Sequence, residues 1–152
     1  MTAVPAGAAG APKVTVGYSG VPLARKLGIK AGACVALLGA PEGFDAELSP
    51  LPDDVRVVRR LGSGLDVAVL FVTGRRTLER RFPEVARSIT PAGGIWVAWP
   101  KRASGVTTDL TGDVLRQVVL PQGLVDNKIC AITEVWSGLR FVWRKENRSA
   151  KG

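Results

Sequence analysis

The sequence predicts an α/β fold, with a mostly parallel sheet of about six strands flanked by helices and closed by an antiparallel hairpin. Three observations predict it. Short apolar runs recur at 33–38, 65–72 (interrupted only by Asp66) and 95–99, each the length of a strand buried on both faces. Apolar residues between them fall at helical spacing, as with Leu78, Phe82, Val85 and Ile89. The chain then ends in two apolar stretches, 127–135 and 139–143, separated by only a few residues.

Each element follows from its residues. Residues 1–16 (MTAVPAGAAGAPKVTV) are small and interrupted by Pro and Gly, and are expected to be a flexible lead-in. Pro22 suits the first position of a short helix over 22–27, with Gly28 as its stop. The run 33–38 is a strand ending at Gly39, and Pro41 opens a short helix through Leu48. A brief strand follows at 55–58. The run 65–72 is β-branched and nearly uncharged, and predicts a central strand with Asp66 at its entrance. A helix fits 73–88, capped near Thr73 or Gly74, with Pro83 expected to kink it or end its first half. Pro91-Ala92-Gly93-Gly94 reads as a tight turn into the strand 95–99, and 100–108 as a loop. Thr108 or Thr111 can cap a helix carrying Leu115, Val118 and Val119, which ends before Gly123. The final hairpin is expected to turn at Trp136-Ser137-Gly138, and the polar tail 146–152 to fray. A single domain is thus expected over 17–145, and no internal repeat is present.

Composition removes several function classes. The 152 residues are 46% hydrophobic and 22% charged, an ordinary globular balance. Histidine is absent, which excludes a Ser-His-Asp triad, a Cys-His pair, a histidine metal site and an imidazole base. Two cysteines, Cys34 and Cys130, are too few for a thiolate zinc site, and their expected strands lie too far apart for a disulfide. Buried, inert thiols are the expectation. No apolar run approaches the ~20 residues of a membrane span, and no charged-then-apolar leader opens the chain. A cytoplasmic protein with no membrane partner is expected.

The formal charge is +8, and its distribution is uneven. Arg75, Arg76, Arg80, Arg81 and Arg87 cluster with only Glu79 and Glu84 between them. Arg140, Arg144, Lys145, Arg148 and Lys151 close the chain, while 31–55 carries five acids and no base. Such clusters attract polyanions, yet no base-reading motif accompanies them, so a solvated arginine-rich surface is the simpler reading. At ~100° per residue, Arg76, Arg80 and Arg87 fall opposite the apolar stripe of their helix.

The order of elements, ending in an antiparallel hairpin, resembles the class I methyltransferase form of the Rossmann-like fold, shortened by one β-α unit. Ligands of such sheets sit beyond the carboxyl ends of the strands. Here that crevice lies between the loops after Leu38 and after Val72, beside the loop after Trp99. Several segments also resemble the bacterial domain-of-unknown-function family numbered 3052: GYSGVPLARKLGIKAG at 17–32, VALLGAPEGF at 35–44, LDVAVLFVT at 65–73, GGIWVAWPKRASGVTTDLTGDVLR at 93–116 and GLVDNKICAITEVWSGLRFVWRKENR at 123–148. That resemblance implies a methyltransferase-like Rossmann fold and no established activity, so it supplies no catalytic residues.

Two anchors of a nucleotide cofactor look absent. The first loop reads Leu38-Gly39-Ala40-Pro41-Glu42-Gly43-Phe44. Gly39 fits a phosphate-cradling turn, but Ala40 narrows it, Pro41 removes a donor and Glu42 adds negative charge. The second anchor is an acid at the next strand's end, to accept ribose hydroxyls. Arg59 and Arg60 stand there instead, and Asp53 and Asp54 lie at the strand's other end. The leading expectation is therefore a non-catalytic binding or regulatory module with no cofactor and no metal. Its partner would be a protein or a small anionic ligand, met by Gly39, Pro41, Phe44, Thr73, Lys101 and Arg102. The alternative is an S-adenosylmethionine-dependent methyltransferase with an atypical cofactor loop. A second alternative is a nucleic-acid-associated basic protein using Arg76, Arg80, Arg144 and Lys145. Ser104, Thr107 and Asp109 read as turn and capping residues. Trp96 and Trp99 read as core on opposite faces of one strand, and Trp136 as exposed at the hairpin turn.

Overall fold

A computed structural model describes residues 21–151 of the chain. The lead-in expected at 1–16 lies outside the described residues. Six strands form one sheet: β1 (Cys34–Leu38), β2 (Arg56–Val58), β3 (Leu65–Phe71), β4 (Ile89–Pro100), β5 (Leu124–Ala131) and β6 (Trp136–Trp143), in the order β2-β1-β3-β4-β6-β5. The first four pair in parallel, and β6 pairs antiparallel with both β4 and β5. The expected mostly parallel sheet with its closing hairpin is therefore present. Strand order reverses at β1, since the chain moves outward from β1 to β2 and then crosses back to β3.

Helices α1 (Leu23–Lys26) and α2 (Phe44–Leu48) cover one face, and α3 (Arg75–Ser88) and α4 (Gly112–Val119) the other. Alternation along β3 places the two cores: Val67, Val69 and Phe71 join Leu27, Phe44 and Leu48, while Ala68 and Leu70 join Leu78, Phe82 and Leu115. Trp96 and Trp99 divide in the same way, both buried. Asp66 stays exposed at the entrance of β3, where it accepts a 2.9 Å hydrogen bond from the Cys34 N–H. On α3, Arg76, Arg80 and Arg87 are exposed and Arg75 and Arg81 flank the buried stripe, as helical spacing requires.

Four local expectations need correction. Pro83 does not end its helix: α3 runs unbroken through it, with Phe82, Val85 and Ala86 anchoring both sides of the proline in the core. Pro91-Ala92-Gly93-Gly94 is not a turn before the strand but lies inside β4. There, two residues of advance on β3 (Leu65 to Val67) face five on β4 (Ile89 to Gly94), so the extra residues bulge outward. The hairpin turns at residues 132–135 rather than at 136–138. Gly138 is needed inside β6 because a Cβ there would lie 2.5 Å from the Ile132 side chain and 3.1 Å from the Trp96 ring. Finally, the end of the expected polar tail is helical, as α5 (Lys145–Lys151), held by the Asn147 amide donating to the Gly123 carbonyl and the Arg148 guanidinium donating to the Trp143 carbonyl.

Cys34 and Cys130 are free thiols on β1 and β5, at separated positions in the sheet. Both are half-buried rather than fully buried. Burial pushes the Cys130 thiol above its ordinary pKa, with the Lys26 ammonium offsetting part of the effect.

Candidate functional site

The carboxyl ends of β1, β2, β3 and β4 gather the loops where a ligand of this fold would sit. The β1 loop begins with Gly39 in the left-handed region, at φ +71°. A Cβ at this position would lie 3.1 Å from the Phe71 carbonyl oxygen at the end of β3. Glycine is thus required twice, for its dihedral and for the close approach of two strand ends. Pro41 is half-buried and its carbonyl accepts from the Phe44 N–H at 3.2 Å, closing the turn into α2.

Phe44, expected as a ligand contact, is only 1% exposed. Its ring meets Phe71 edge to face at 4.9 Å, and Phe71 meets Trp136 in the same manner at 5.1 Å. These three rings make an apolar floor beneath the crevice. Trp136 is accordingly half-buried, not an exposed residue of the turn. The hairpin's true turn frees it to pack inward.

A feature that sequence reasoning missed stands beside the end of β2. Asp45, on the first turn of α2, forms an ion pair and hydrogen bond with Arg59, the residue that follows β2. A carboxylate is therefore present at the rim where the strand itself supplies none. Both partners are more than half exposed, so water competes for this pair and its net contribution to stability is small. No local signal could have revealed it, because the carboxylate and its arginine are 14 residues apart.

The loop after β4 is tied to the end of β3. The Thr108 hydroxyl donates to the Thr73 carbonyl at 2.6 Å, and the Asp109 carboxylate accepts from the Arg75 N–H at 2.8 Å. Asp109 thereby caps α3 across the crevice, a duty its own N-cap, Gly74, cannot perform with a side chain. Thr111 caps α4 by accepting from the Val114 N–H. Between these ties and β4 opens a cavity of about 450 Å³, lined by residues that include Trp99, Arg102, Thr107 and Thr111. Arg102 is one of the residues lining this cavity. Lys101 is half-buried, and its N–H donates to the Val135 carbonyl at 2.7 Å.

The residues proposed for polyanions are all exposed but do not form one patch. Arg76 and Arg80 sit on the first half of α3, which starts at the carboxyl edge of the sheet. Arg144 and Lys145 follow β6, whose antiparallel course ends at the opposite edge. Among the described residues no group of three or more His, Cys, Asp or Glu side chains is arranged to hold a metal. No helix among them is long and apolar enough to cross a membrane.

No family model matches the chain, and no curated protein matches it in sequence. Solved structures do match its fold. One is the Methanococcus jannaschii fibrillarin pre-rRNA processing protein, with TM-score 0.53 and 13% identity over 76% of this chain and 68% of that one. Another is NcsB1, an O-methyltransferase from neocarzinostatin biosynthesis solved with S-adenosylmethionine. It matches with TM-score 0.58 and 14% identity over 74% of this chain and 49% of that one, so the chain spans about half its length. The DhpI–SAH complex matches with TM-score 0.58 and 10% identity over 82% and 83% of the two chains. At such identities the likeness is one of fold, and the fold is the Rossmann-like one of the S-adenosylmethionine methyltransferases. These matches overturn the expectation of a non-catalytic binding or regulatory module, and they remove the support for a chain without a cofactor. That expectation rested on two linear motifs, whereas the carboxylate found at this rim, Asp45, reaches it from a different element.

Proposed function

We propose that this chain is an S-adenosylmethionine-dependent methyltransferase with an atypical cofactor loop, acting in the cytoplasm and akin to the domain-of-unknown-function family numbered 3052. The observation that carries the reading is Gly39: a left-handed glycine at the strand-order reversal, pressed within 3.1 Å (measured from its would-be Cβ) of the Phe71 carbonyl. Such a turn leaves bare backbone at the crevice, where a larger residue would block a ligand. The donor set fits the cofactor at both ends. Gly39 and Ala40 would cradle it with their backbone, and Asp45 would accept the ribose hydroxyls in place of the missing strand-end acid.

Bound there, S-adenosylmethionine supplies an electrophilic methyl group on its sulfonium. The chain's own residues do the rest. Phe44, Phe71 and Trp136 close the floor against water. The cavity of about 450 Å³ beside Trp99 is of a size to admit a small acceptor, with Arg102 and Thr107 to orient its polar groups. Because the chain has no histidine, the acceptor would arrive as a competent nucleophile or lose its proton to water or to a carboxylate, lysine, tyrosine or cysteine side chain. Asp109 caps α3 through its Oδ1 and also lines this cavity.

Calorimetric titration tests the reading. We expect saturable binding of S-adenosylmethionine with a dissociation constant on the order of 10 μM, about −6.8 kcal/mol. Absence of saturable heat up to ~1 mM, where even −4.1 kcal/mol would register, overturns it.

A further inference from the structure

A second cavity, of about 330 Å³, opens at the other edge of the sheet, where the parallel strands begin. Its walls are the loop after α1 (Gly28, Lys30, Gly32), the entrance of β3 at Asp66, the bulge of β4 (Thr90, Gly93) and Arg140 of β6. Trp96 helps to fix one wall, since its buried indole N–H donates to the Leu27 carbonyl at 3.0 Å.

Arg140 is the unusual residue. It is half-buried, yet among the described residues its guanidinium meets no acceptor and no carboxylate. Asp66 lines the same cavity but forms no ion pair with it, and its Oδ2 is taken by the Cys34 N–H. Arg140 lies flat against the strand: a Cβ on Gly94 would fall 2.6 Å from Nε and 2.7 Å from Cζ. Gly94 thus lets a planar cation rest on bare backbone, and Arg140 lines the cavity beside it. Burial, with the nearby Arg148 charge, lowers the guanidinium's pKa from its ordinary value. Lys30 adds a second, exposed cation to the lining.

We infer that the cavity bounded by Arg140, Lys30 and Gly93 of the β4 bulge binds the oxyanion group, carboxylate or phosphate, of a small molecule. The planar fork of Arg140 matches two oxygens of such a group, and Lys30 supplies a point charge beside it. Asp66 limits the charge the site accepts, and it offers an acceptor to a hydroxyl or amine elsewhere on the same ligand. This site is distinct from the crevice of the proposed methyl transfer, which lies at the opposite edge of the sheet.

The test is an amide-shift titration of the full chain with inorganic phosphate and, separately, with acetate. Saturable shifts at Ala31, Gly32, Gly93 and Gly94 with either anion are expected, and the stronger of the two names the ligand's acidic group. Arg140→Gln should weaken binding at least ~10-fold, the scale of a charge-assisted bidentate contact. Gly94→Ala keeps every charge and only displaces the guanidinium, so it should weaken binding as well. If Arg140→Gln fails to fold, Lys30→Gln at an exposed position should still weaken binding by about 3-fold. No saturable shift with either anion, shifts confined to the arginines of α3, or unchanged affinity in Gly94→Ala and Lys30→Gln would overturn the site. S-adenosylmethionine binding should be unaltered in these variants, which separates this inference from the one at Gly39.

Discussion

At the carboxyl edge of the sheet Thr108, Asp109 and Asp45 are engaged by the protein itself, whereas at the amino edge Arg140 lines a cavity and its guanidinium meets no acceptor among the described residues. Thr108 and Asp109 bind the end of β3 and the start of α3, and Asp45 meets Arg59. The carboxyl edge is thereby pre-formed: its loops hold their shape before any ligand arrives. The amino edge has its own ties, Asp66 to the Cys34 N–H and Trp96 to the Leu27 carbonyl, but leaves the Arg140 cation unanswered among the described residues. The contrast teaches that an intact framework of loops and an uncompensated charge are separate marks of a binding site. This molecule carries one at each end.

The floor of the carboxyl edge offers the largest effect. Phe44→Ala should cost about 3–5 kcal/mol, because a ring only 1% exposed leaves a cavity against Phe71. Denaturant unfolding would measure it, and a loss below ~1 kcal/mol would mean that Phe44 is a wall of the crevice and not its floor. Next comes Gly39→Val. Forcing a β-branched residue to φ +71° should cost about 1–2 kcal/mol. The same change should weaken S-adenosylmethionine at least ~10-fold, equal to a further ~1.4 kcal/mol. A variant that binds the cofactor as the wild type does would break the proposed role of the turn.

Asp109→Ala is expected to lose about 1 kcal/mol, the usual worth of a helix cap. At this chain length the melting temperature should fall by about 2–4 °C, and amide exchange should quicken in the first turn of α3. An unchanged melt would mean the two loops are not coupled. The smallest effect belongs to the double charge reversal Arg76→Glu and Arg80→Glu. Both side chains are exposed, so stability should move by less than about 0.5 kcal/mol. A larger loss would show that the arginine face packs on something.

Much of the frame was legible in the residues. The apolar run of β3 and the spacing of Leu78, Phe82 and Val85 determine a buried strand and a one-sided helix, and both lie where those patterns put them. The misreadings share a cause. Pro91 to Gly94 and Trp136 to Gly138 have turn composition, but their glycines serve close packing inside strands, against Arg140 in one case and Trp96 in the other. A glycine required by a distant neighbour looks the same in sequence as one required by a turn. Asp45 escaped functional reading for a related reason, and Asp109, which reads as a capping residue, caps a helix of another element. Each acts on a residue of another element, Arg59 and Arg75, and no local spacing records such a partnership.

The central claim is that the carboxyl edge, built around Gly39, is the cofactor site. Mapping backbone amide shifts during a titration with S-adenosylhomocysteine, which carries the same adenosine without the reactive methyl, tests it most directly. Saturable shifts at Gly39, Ala40, Asp45 and Thr73, with Gly93 and Gly94 unmoved, are the result this account predicts. Shifts centred on Gly93, Gly94 and Arg140, or no saturable shift at any residue, would contradict it.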